Sequence, residues 1–339
     1  MATAVAVGVV VLALALWKLK LILTLIFVGV TWAAAMRPGV DWLHRRGVPR
    51  AVGVLLHYLV LLGLVALFLS FVVPRLITEV QTALNAAQNA PAHPHANGIK
   101  DQILNALEKR LRNLPSAGKL LHPAVTVGTE AVKVLVGVFF VLATAAYWVF
   151  ERDSFIDFVT GFFARPKRKK IRDTWQLIDL KLGAFVRGQL LLIVIVGTVM
   201  STAFYLIGEP YFLLIGIIVA LLEIVPVVGP LAALVLAVAA GATQSWHTAA
   251  FAAGALLLLR VLQDYIVNPR VLGGVVGLSP LLVLVAVSVV GVVLGPFYVL
   301  IAVPLSSLLV TVLDVVVRGV EPADAEVPTV LFPAKDSEG

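Results

Sequence analysis

The residues best suited to chemistry stand where an apolar chain is interrupted by proline and glycine. Glu223 opens the first interruption and precedes Pro226, Gly229 and Pro230. A charged side chain at membrane depth costs roughly 2.5–3.5 kcal/mol on insertion scales, so it is a functional candidate. Because proline lacks a backbone donor, we expect unpaired carbonyl oxygens beside the carboxylate. Such oxygens suit a cation or a proton. The alternative is that Glu223 only caps a hairpin or pairs with a basic residue.

Polar side chains also surround the second interruption. Asp264 follows Arg260 by one helical turn, so an ion pair within one helix is one interpretation. In the other interpretation, Asp264 lines a cavity shared with the first interruption, near a helix break at a proline. Gln263 and Asn268 would line the same cavity, and Pro269, followed by Arg270, would break the helix.

Arg270 and the third interruption carry groups that favour anions or polar solutes. Arg270 would hold an anionic or polar group, or anchor the chain at the cytoplasmic face. Ser279 followed by Pro280 predicts a helix N-cap and first residue, whose exposed N–H groups suit an anion. The candidate substrate- and ion-binding residues are therefore Glu223, Pro226, Gly229, Pro230, Gln263, Asp264, Asn268, Pro269, Arg270, Ser279 and Pro280.

Several chemistries are excluded by what the sequence lacks. It contains no Cys, which rules out disulfides, thiolate metal sites and cysteine nucleophiles. No Walker motif, nucleophile elbow or His-Glu-x-x-His motif occurs. His93 and His95 flank Pro94 without a nearby acid, so we predict no metal site. We also predict no enzyme activity and no cofactor, apart from coupling to H⁺ or Na⁺.

The composition defines the elements that must position these residues. Hydrophobic residues make up 60% of the 339, charged residues only 13%, and the mean hydropathy is +1.02. A soluble domain has roughly 45–50% apolar and 25% charged residues. Several apolar runs reach the ~20 residues needed to cross a hydrocarbon core. We predict an all-α, polytopic helical membrane protein with about eight transmembrane helices plus a re-entrant helical hairpin.

The hairpin is predicted from length. Tyr211–Val225 and Leu231–Ser245 are each about 15 residues, or ~22 Å of helix, against a core of ~30 Å. Neither crosses comfortably, which favours a re-entrant hairpin with Pro226–Pro230 at its tip. Two full spans are the alternative, with the same placement of the chain ends.

Charge distribution sets the predicted orientation. The segment from Glu151 to Arg187 carries nine basic residues, which places it and both termini in the cytoplasm. The net charge of +7 then reflects cytoplasmic loops and anionic lipid rather than nucleic acid. The predicted segments are N-terminal membrane helices at 1–74, an extracytoplasmic amphipathic excursion at 75–122, a fourth helix at 123–150, a basic cytoplasmic segment at 151–187, a transport core at 188–318 and a polar, disordered tail at 319–339. Within the first segment, we expect Ala2–Trp17 and Leu21–Met36 to form one kinked hairpin, Pro38 to end the second apolar run and Pro74 to end the third.

The order of these breaks resembles the autoinducer-2 exporter family of bacterial membrane proteins, which includes PerM-like permeases. The matching residues are Ile224 to Pro230, Gln263-Asp264 to Gly273 with Asn268-Pro269-Arg270, Gly277-Leu278-Ser279-Pro280, Ala302-Val303-Pro304 and, upstream, Arg187-Gly188-Gln189. The resemblance implies about eight membrane helices, secondary transport and a homo-oligomer. Members of that family are associated with autoinducer-2 export or with sodium- or lithium-proton antiport. The chain departs from the family in its short N-terminus and in Gly295-Pro296-Phe297, where a more glycine-rich turn is common.

These observations together predict an ion-coupled or passive secondary transporter of the bacterial inner membrane. It would export a small polar metabolite or signalling molecule, such as autoinducer-2, by alternating access around broken helices. Its expected partners are the lipid bilayer, a small polar solute or monovalent cation, and copies of itself. Glu223 and Asp264 are the predicted cation-coupling residues, and Asn268 and Arg270 the predicted solute contacts. A sodium/proton antiporter and a non-transporting membrane scaffold are the alternative functions.

Overall fold

The computed structural model describes residues 2–89, 124–209, 211–226, 228–268, 278–322, 325 and 327. Within these residues the chain forms helices and short connections, and no strand. The helices are α1 (Ala2–Lys18), α2 (Lys20–Arg45), α3 (Arg50–Asn89), α4 (Ala124–Gly161), α5 (Arg165–Ile207), α6 (Phe212–Leu222), α7 (Val228–Gln244), α8 (Trp246–Leu262), α9 (Pro280–Val293) and α10 (Ala302–Val316). A π-helical segment, Gln263–Val267, extends α8, and a 3₁₀ segment, Pro296–Ile301, precedes α10.

The predicted fold class, an all-helical polytopic membrane protein, is confirmed. Among the described residues, six helical stretches are long and apolar enough to cross a membrane: Lys20–Arg45, Arg50–Glu79, Val132–Gly161, Arg165–Ile207, Trp246–Val267 and Pro296–Val316. Three further apolar helices are shorter: Phe212–Leu222, Val228–Gln244 and Leu281–Val293. The two short arms of the predicted hairpin are among these shorter helices.

Prolines do not end the early helices, contrary to expectation. We expected Pro38 and Pro74 to terminate the second and third apolar runs, but α2 continues to Arg45 and α3 to Asn89. Both predicted helix ends are wrong. The prediction rested on the missing donor: Pro38, for example, cannot donate to the carbonyl of Ala34, one turn earlier. The surroundings of Pro38 show how the helix continues without this hydrogen bond.

Helix α5 contacts α2 beside the hydrogen bond that Pro38 cannot make. Gly183 of α5 lies directly against the Ala34 carbonyl, where a Cβ atom would clash. One turn later, Arg187 donates from Nη1 to the carbonyl of Ala35 at 3.2 Å. Contacts from an adjacent helix are a known way to keep a proline-containing membrane helix continuous.

The first two helices are nearly continuous. We expected Ala2–Trp17 and Leu21–Met36 to form a kinked hairpin. The chain departs from helix only at Leu19, whose N–H donates to Ala15 at 3.0 Å and whose carbonyl accepts from Leu23 at 2.9 Å. A single residue that keeps both hydrogen bonds allows a kink and not a chain reversal, so the hairpin prediction is wrong.

Helices also cross the predicted segment boundaries. α3 passes through position 74, α4 through position 150, and α5 joins the predicted surface helix to the predicted fifth span. The proposed excursion at 75–122 is helical to Asn89, and its remainder lies outside the described residues. In the tail, Val327 packs against Leu177 and Ala184 of α5. The expected disorder is therefore wrong at Val327, while residues 328–339 are not described.

The chain divides into two compact units. Unit 1 comprises Met1–His57, Val134–Leu191 and Val267–Gly339, and unit 2 comprises Tyr58–Lys133 and Leu192–Ile266. Unit 2 has an apolar core contributed by the end of α5 and by α6, α7 and α8: Val196, Met200, Phe204, Ile215, Val219, Ala220, Ala233, Ala237, Ala252, Leu256 and Leu259. Its alanines let these helices approach one another closely. This core holds the helices that carry Glu223 and Gln263.

Buried charges join three helices of unit 1. Arg152 of α4 donates from Nε to Asp179 of α5, and these residues are only 4% and 6% exposed. Arg37 of α2 lies 3.7 Å from the same Asp179 oxygen, and Arg152 also donates to Asp153 at 2.7 Å. A second ion pair, between Asp157 and Arg172, joins α4 to α5 at an exposed position.

Asp179→Asn is expected to destabilise the protein far more than Asp157→Asn, although each removes a carboxylate from an α4–α5 ion pair. Breaking a buried pair costs about 3–5 kcal/mol, because the remaining charge is left uncompensated, whereas an exposed pair contributes about 0–1 kcal/mol. Thermal unfolding of the purified protein in detergent, followed by tryptophan fluorescence, measures both effects. Equal shifts in the unfolding midpoint would show that burial does not set the strength of these pairs.

Candidate functional site

The segment predicted as a hairpin is a helix–turn–helix within unit 2. α6 and α7 are joined by a short turn that begins at Glu223. At the opposite end, Gln244 of α7 donates to Glu209, which precedes α6, at 3.3 Å. The two helices therefore run antiparallel. At 11 and 17 residues they are roughly 16 and 26 Å long, shorter than a ~30 Å hydrocarbon core.

The turn at the tip satisfies much of its own backbone. The N–H groups of Ile224 and Val225 donate at 3.2 and 3.0 Å, and those of Val228 and Gly229 donate at 2.7 and 2.9 Å. The carbonyls that accept these bonds are Leu221, Leu222, Pro226 and Val225. The expectation of unpaired carbonyls is therefore wrong for these residues, because the tight turn places the next donors within reach. Side chains rather than backbone oxygens distinguish this tip.

Gly229 makes the tight turn sterically feasible. A Cβ atom at this position would overlap the carbonyl oxygen of Leu222 and lie 3.5 Å from the backbone nitrogen of Glu223. The first turn of α7 is thus pressed against the last turn of α6. This close approach holds Glu223 at the end of α6, facing the neighbouring helix α8.

Four polar side chains converge at the tip. Gln263 donates from Nε2 to Glu223 Oε1 at 3.0 Å. Arg260 lies 3.5 Å from the same oxygen, measured from Nη1, and its Nε lies 3.2 Å from Asp264 Oδ2. Side-chain exposure is 15% for Glu223, 41% for Arg260 and 45% for Asp264. We call these four residues the tip cluster: Glu223, Arg260, Gln263 and Asp264.

A change of helix type orients the tip cluster. α8 ends at Leu262, and Gln263–Val267 continues as a π-helix. A π-helical turn is wider than an α-helical one and is frequent at functional sites. Gln263 at its start is 2% exposed and contacts Glu223, whereas Tyr265 is 80% exposed. The widened turn therefore directs the amide into the protein and leaves Asp264 beside Arg260.

The other predicted site residues occupy different positions. Pro226 lies in the turn and Pro230 in the first turn of α7, both half-buried. Ser279 accepts a hydrogen bond from the N–H of Leu282 at 3.3 Å, so the predicted N-cap of α9 is confirmed, with Pro280 as first helical residue. Asn268, Ser279 and Pro280 belong to unit 1. Pro269 and Arg270 lie outside the described residues. A role in substrate or ion binding remains a prediction for every residue named in this paragraph as a predicted site residue.

Sequence reasoning missed two contacts in unit 2. It gave Glu223 a basic partner only as one alternative and did not identify Arg260, because the two residues are 37 positions apart and no local pattern joins them. It also missed Glu79 of α3, whose carboxylate accepts from the N–H of Leu214 at 2.9 Å and caps the first turn of α6. An open cavity of about 360 Å³ lies there, lined by Pro74, Arg75, Thr78, Glu79 and Phe212.

The buried acid at the open end of the hairpin was also overlooked. Glu209, in the connection before α6, is 3% exposed and receives the hydrogen bond from Gln244. Burial raises the pKa of this carboxyl, and the Gln244 hydrogen bond opposes that shift. The contact fixes the spacing of the two helix ends away from the tip.

Comparison with known proteins gives one consistent family. A family model described as AI-2E family transporter matches residues 6–318. The chain is 23% identical over 300 residues to "Putative transport protein YrrI" of Bacillus subtilis, covering 84% of this chain and 83% of that protein. It is 27% identical over 295 residues to "Putative transport protein MT0215" of Mycobacterium tuberculosis, covering 84% and 80%. The matched range includes the hairpin and the π-helix.

Gly229→Ala is expected to destabilise the hairpin, whereas Gly254→Ala in α8 is not. The new methyl group at 229 meets the Leu222 carbonyl, while a Cβ at 254 has no neighbour within 4 Å. Overpacking costs about 1–3 kcal/mol, and an unobstructed Gly-to-Ala change in a helix stabilises by about 0.4–1 kcal/mol. Thermal unfolding of both variants in detergent checks this. If the Gly229→Ala protein unfolded at the same temperature as the Gly254→Ala protein, or at a higher one, the close approach of Gly229 to the Leu222 carbonyl would be contradicted.

Proposed function

This chain belongs to the AI-2E transporter family, and we propose that it is an ion-coupled secondary transporter whose coupling site is the tip cluster. The exported solute is a small polar metabolite or signalling molecule of the autoinducer-2 type, and the coupling ion is H⁺ or Na⁺. The observation that carries this proposal is the convergence of Glu223, Gln263, Arg260 and Asp264 at a tight hairpin tip.

The chemistry of the tip cluster supports cation coupling. A carboxylate in an apolar helix pair is costly unless it is paired, so such residues mark ion pathways in membrane proteins. Glu223 is largely buried, and Gln263 fixes one of its oxygens. The arginine and the second carboxylate lie on α8 and its π-helical extension. Movement of the hairpin against α8 would therefore change which charges Glu223 contacts.

The hairpin supports an alternating-access mechanism. α6 and α7 are each shorter than the hydrocarbon core, and such short helix pairs end at membrane depth in carriers that have broken helices. In the proposed cycle, the hairpin tip moves relative to α8 while a cation occupies Glu223. Asn268 and Arg270 are the proposed polar contacts of the solute, as expected from their side chains in the sequence. The interruptions at Pro226, Pro269 and Pro280 would absorb the motion.

We further propose a bacterial inner membrane location with both termini in the cytoplasm. The nine basic residues between Glu151 and Arg187 support this orientation by the positive-inside rule. A homo-oligomer is proposed from the resemblance described above. Large apolar side chains on α3 and α4, such as Leu59, Phe71 and Phe139, are exposed on the single chain, as expected for surfaces that meet lipid or another copy.

A sodium/proton antiporter without an organic solute is the second candidate. The specific observation that favours it is the pair of acids that share one guanidinium, since carboxylates suffice to exchange cations. A pH-gradient dye assay in proteoliposomes distinguishes the two. Dequenching on addition of sodium or lithium, without flux of any polar solute, supports antiport. Solute flux without dequenching supports export.

Glu223→Gln is expected to abolish cation-coupled transport while leaving the protein folded. The amide keeps an oxygen that accepts from Gln263 but cannot take up a proton or neutralise a cation. Flux is measured in proteoliposomes made from the purified full-length protein, with gel filtration to confirm folding. Asp157→Asn, which removes an exposed carboxylate, is the matched control and should transport normally. Full activity of Glu223→Gln would remove this residue from the mechanism.

A further inference from the structure

One guanidinium bridges both acids of the tip cluster. Arg260 approaches Glu223 through Nη1 at 3.5 Å and Asp264 through Nε at 3.2 Å. We propose that Arg260 is a tethered cation that neutralises Glu223 when the coupling ion is absent, and that the coupling ion displaces it toward Asp264. This inference rests on the proposed function and assigns different roles to the two acids.

The two carboxylates differ in burial and in what they can hold. Glu223 is 15% exposed and is oriented by Gln263, so it is a fixed site from which water is largely excluded. Asp264 is 45% exposed and lies one helical turn beyond Arg260 in the same segment. A buried carboxylate is costly without a partner, whereas a half-exposed one loses less hydration. Glu223 is therefore the cation ligand.

Arginine suits the role of a displaceable partner. Its guanidinium stays charged at all relevant pH values, so it cannot leave Glu223 by losing its proton. Its long side chain is 41% exposed, which leaves room for it to move. Because it already contacts Asp264 through a different nitrogen, it can release Glu223 and keep one carboxylate. Asp264 is in this sense a positioning residue, which acts on the ion only through Arg260.

In this mechanism the coupling ion and Arg260 compete for one oxygen of Glu223. Arg260 and Gln263 both contact Oε1 of Glu223. A proton or a sodium ion that binds this carboxylate must replace the guanidinium, while the neutral amide can remain. The apparent affinity for the coupling ion is therefore set by how firmly Arg260 is held at Glu223.

Removal of either partner of the Arg260–Asp264 pair is expected to change ion affinity in opposite directions. Arg260→Gln removes the competitor, so the half-saturating ion concentration should fall about tenfold, equivalent to about 1.4 kcal/mol. Asp264→Asn removes the alternative partner of Arg260, so the half-saturating concentration should rise severalfold. The measurement is initial transport rate in proteoliposomes, with sodium chloride titrated against choline chloride at fixed pH and, separately, with external pH varied.

The double variant Arg260→Gln/Asp264→Asn tests whether Asp264 acts through Arg260 or whether each charge acts on the coupling ion separately. If Asp264 acts only through Arg260, Asp264→Asn has no further effect in the Arg260→Gln background, and the two changes are strongly non-additive. If each charge acts on the ion independently, the double variant shows the sum of both shifts. Additive shifts, or a half-saturating concentration that does not fall in Arg260→Gln, would overturn the proposal.

Two further measurements keep the outcome interpretable. If Arg260→Gln fails gel filtration, Arg260→Lys replaces it, and the weaker contact of a single ammonium group should lower the half-saturating concentration two- to threefold. An unchanged or higher value would overturn the proposal. If the wild-type protein shows no ion dependence, the proposed coupled function fails as well. If it shows ion dependence that Glu223→Gln abolishes and Arg260→Gln leaves unaltered, only the role of Arg260 fails.

Discussion

A buried carboxylate at the end of a short apolar helix must always be paired, and the arrangement of unit 2 follows from that constraint. Glu223 receives an amide hydrogen bond from Gln263 and the charge of Arg260, both from the neighbouring helix and its extension. Without these partners, burial of the charge would be strongly unfavourable. The π-helical turn, the glycine at the tip and the alanine-rich core all bring the two segments close enough for this pairing.

The same pairing explains why side chains rather than backbone groups define the site. In the tight turn, the carbonyls of Leu222 and Val225 accept hydrogen bonds from nearby N–H groups. At Pro38, Gly183 of another helix packs against the Ala34 carbonyl, and Arg187 donates to the adjacent carbonyl of Ala35. The charged groups at the tip are the side chains of Glu223, Arg260 and Asp264.

Local patterns in the sequence predicted much of the architecture. Apolar runs gave the helices and the fold class, and Ser279-Pro280 gave the N-cap and start of α9 because that interaction involves adjacent residues. Helix continuation through Pro38 was not predictable, since its compensating contacts come from α5. That Arg260 is the basic partner of Glu223 was not predictable for the same reason, because the contact depends on how α6 packs against α8. The expectation of unpaired carbonyls at the tip failed for a local reason, since donors two to four residues away reach them.

Carbodiimide labelling of Glu223 in the purified, reconstituted protein tests most directly whether this carboxylate binds the coupling ion. Peptide mass spectrometry would quantify labelling while the sodium concentration or pH is varied across the range that drives transport. The account predicts that labelling of Glu223 changes over the same concentration range as transport, with sodium protecting the carboxylate if sodium is the coupling ion. Labelling that stays constant while transport goes from zero to saturation would contradict it.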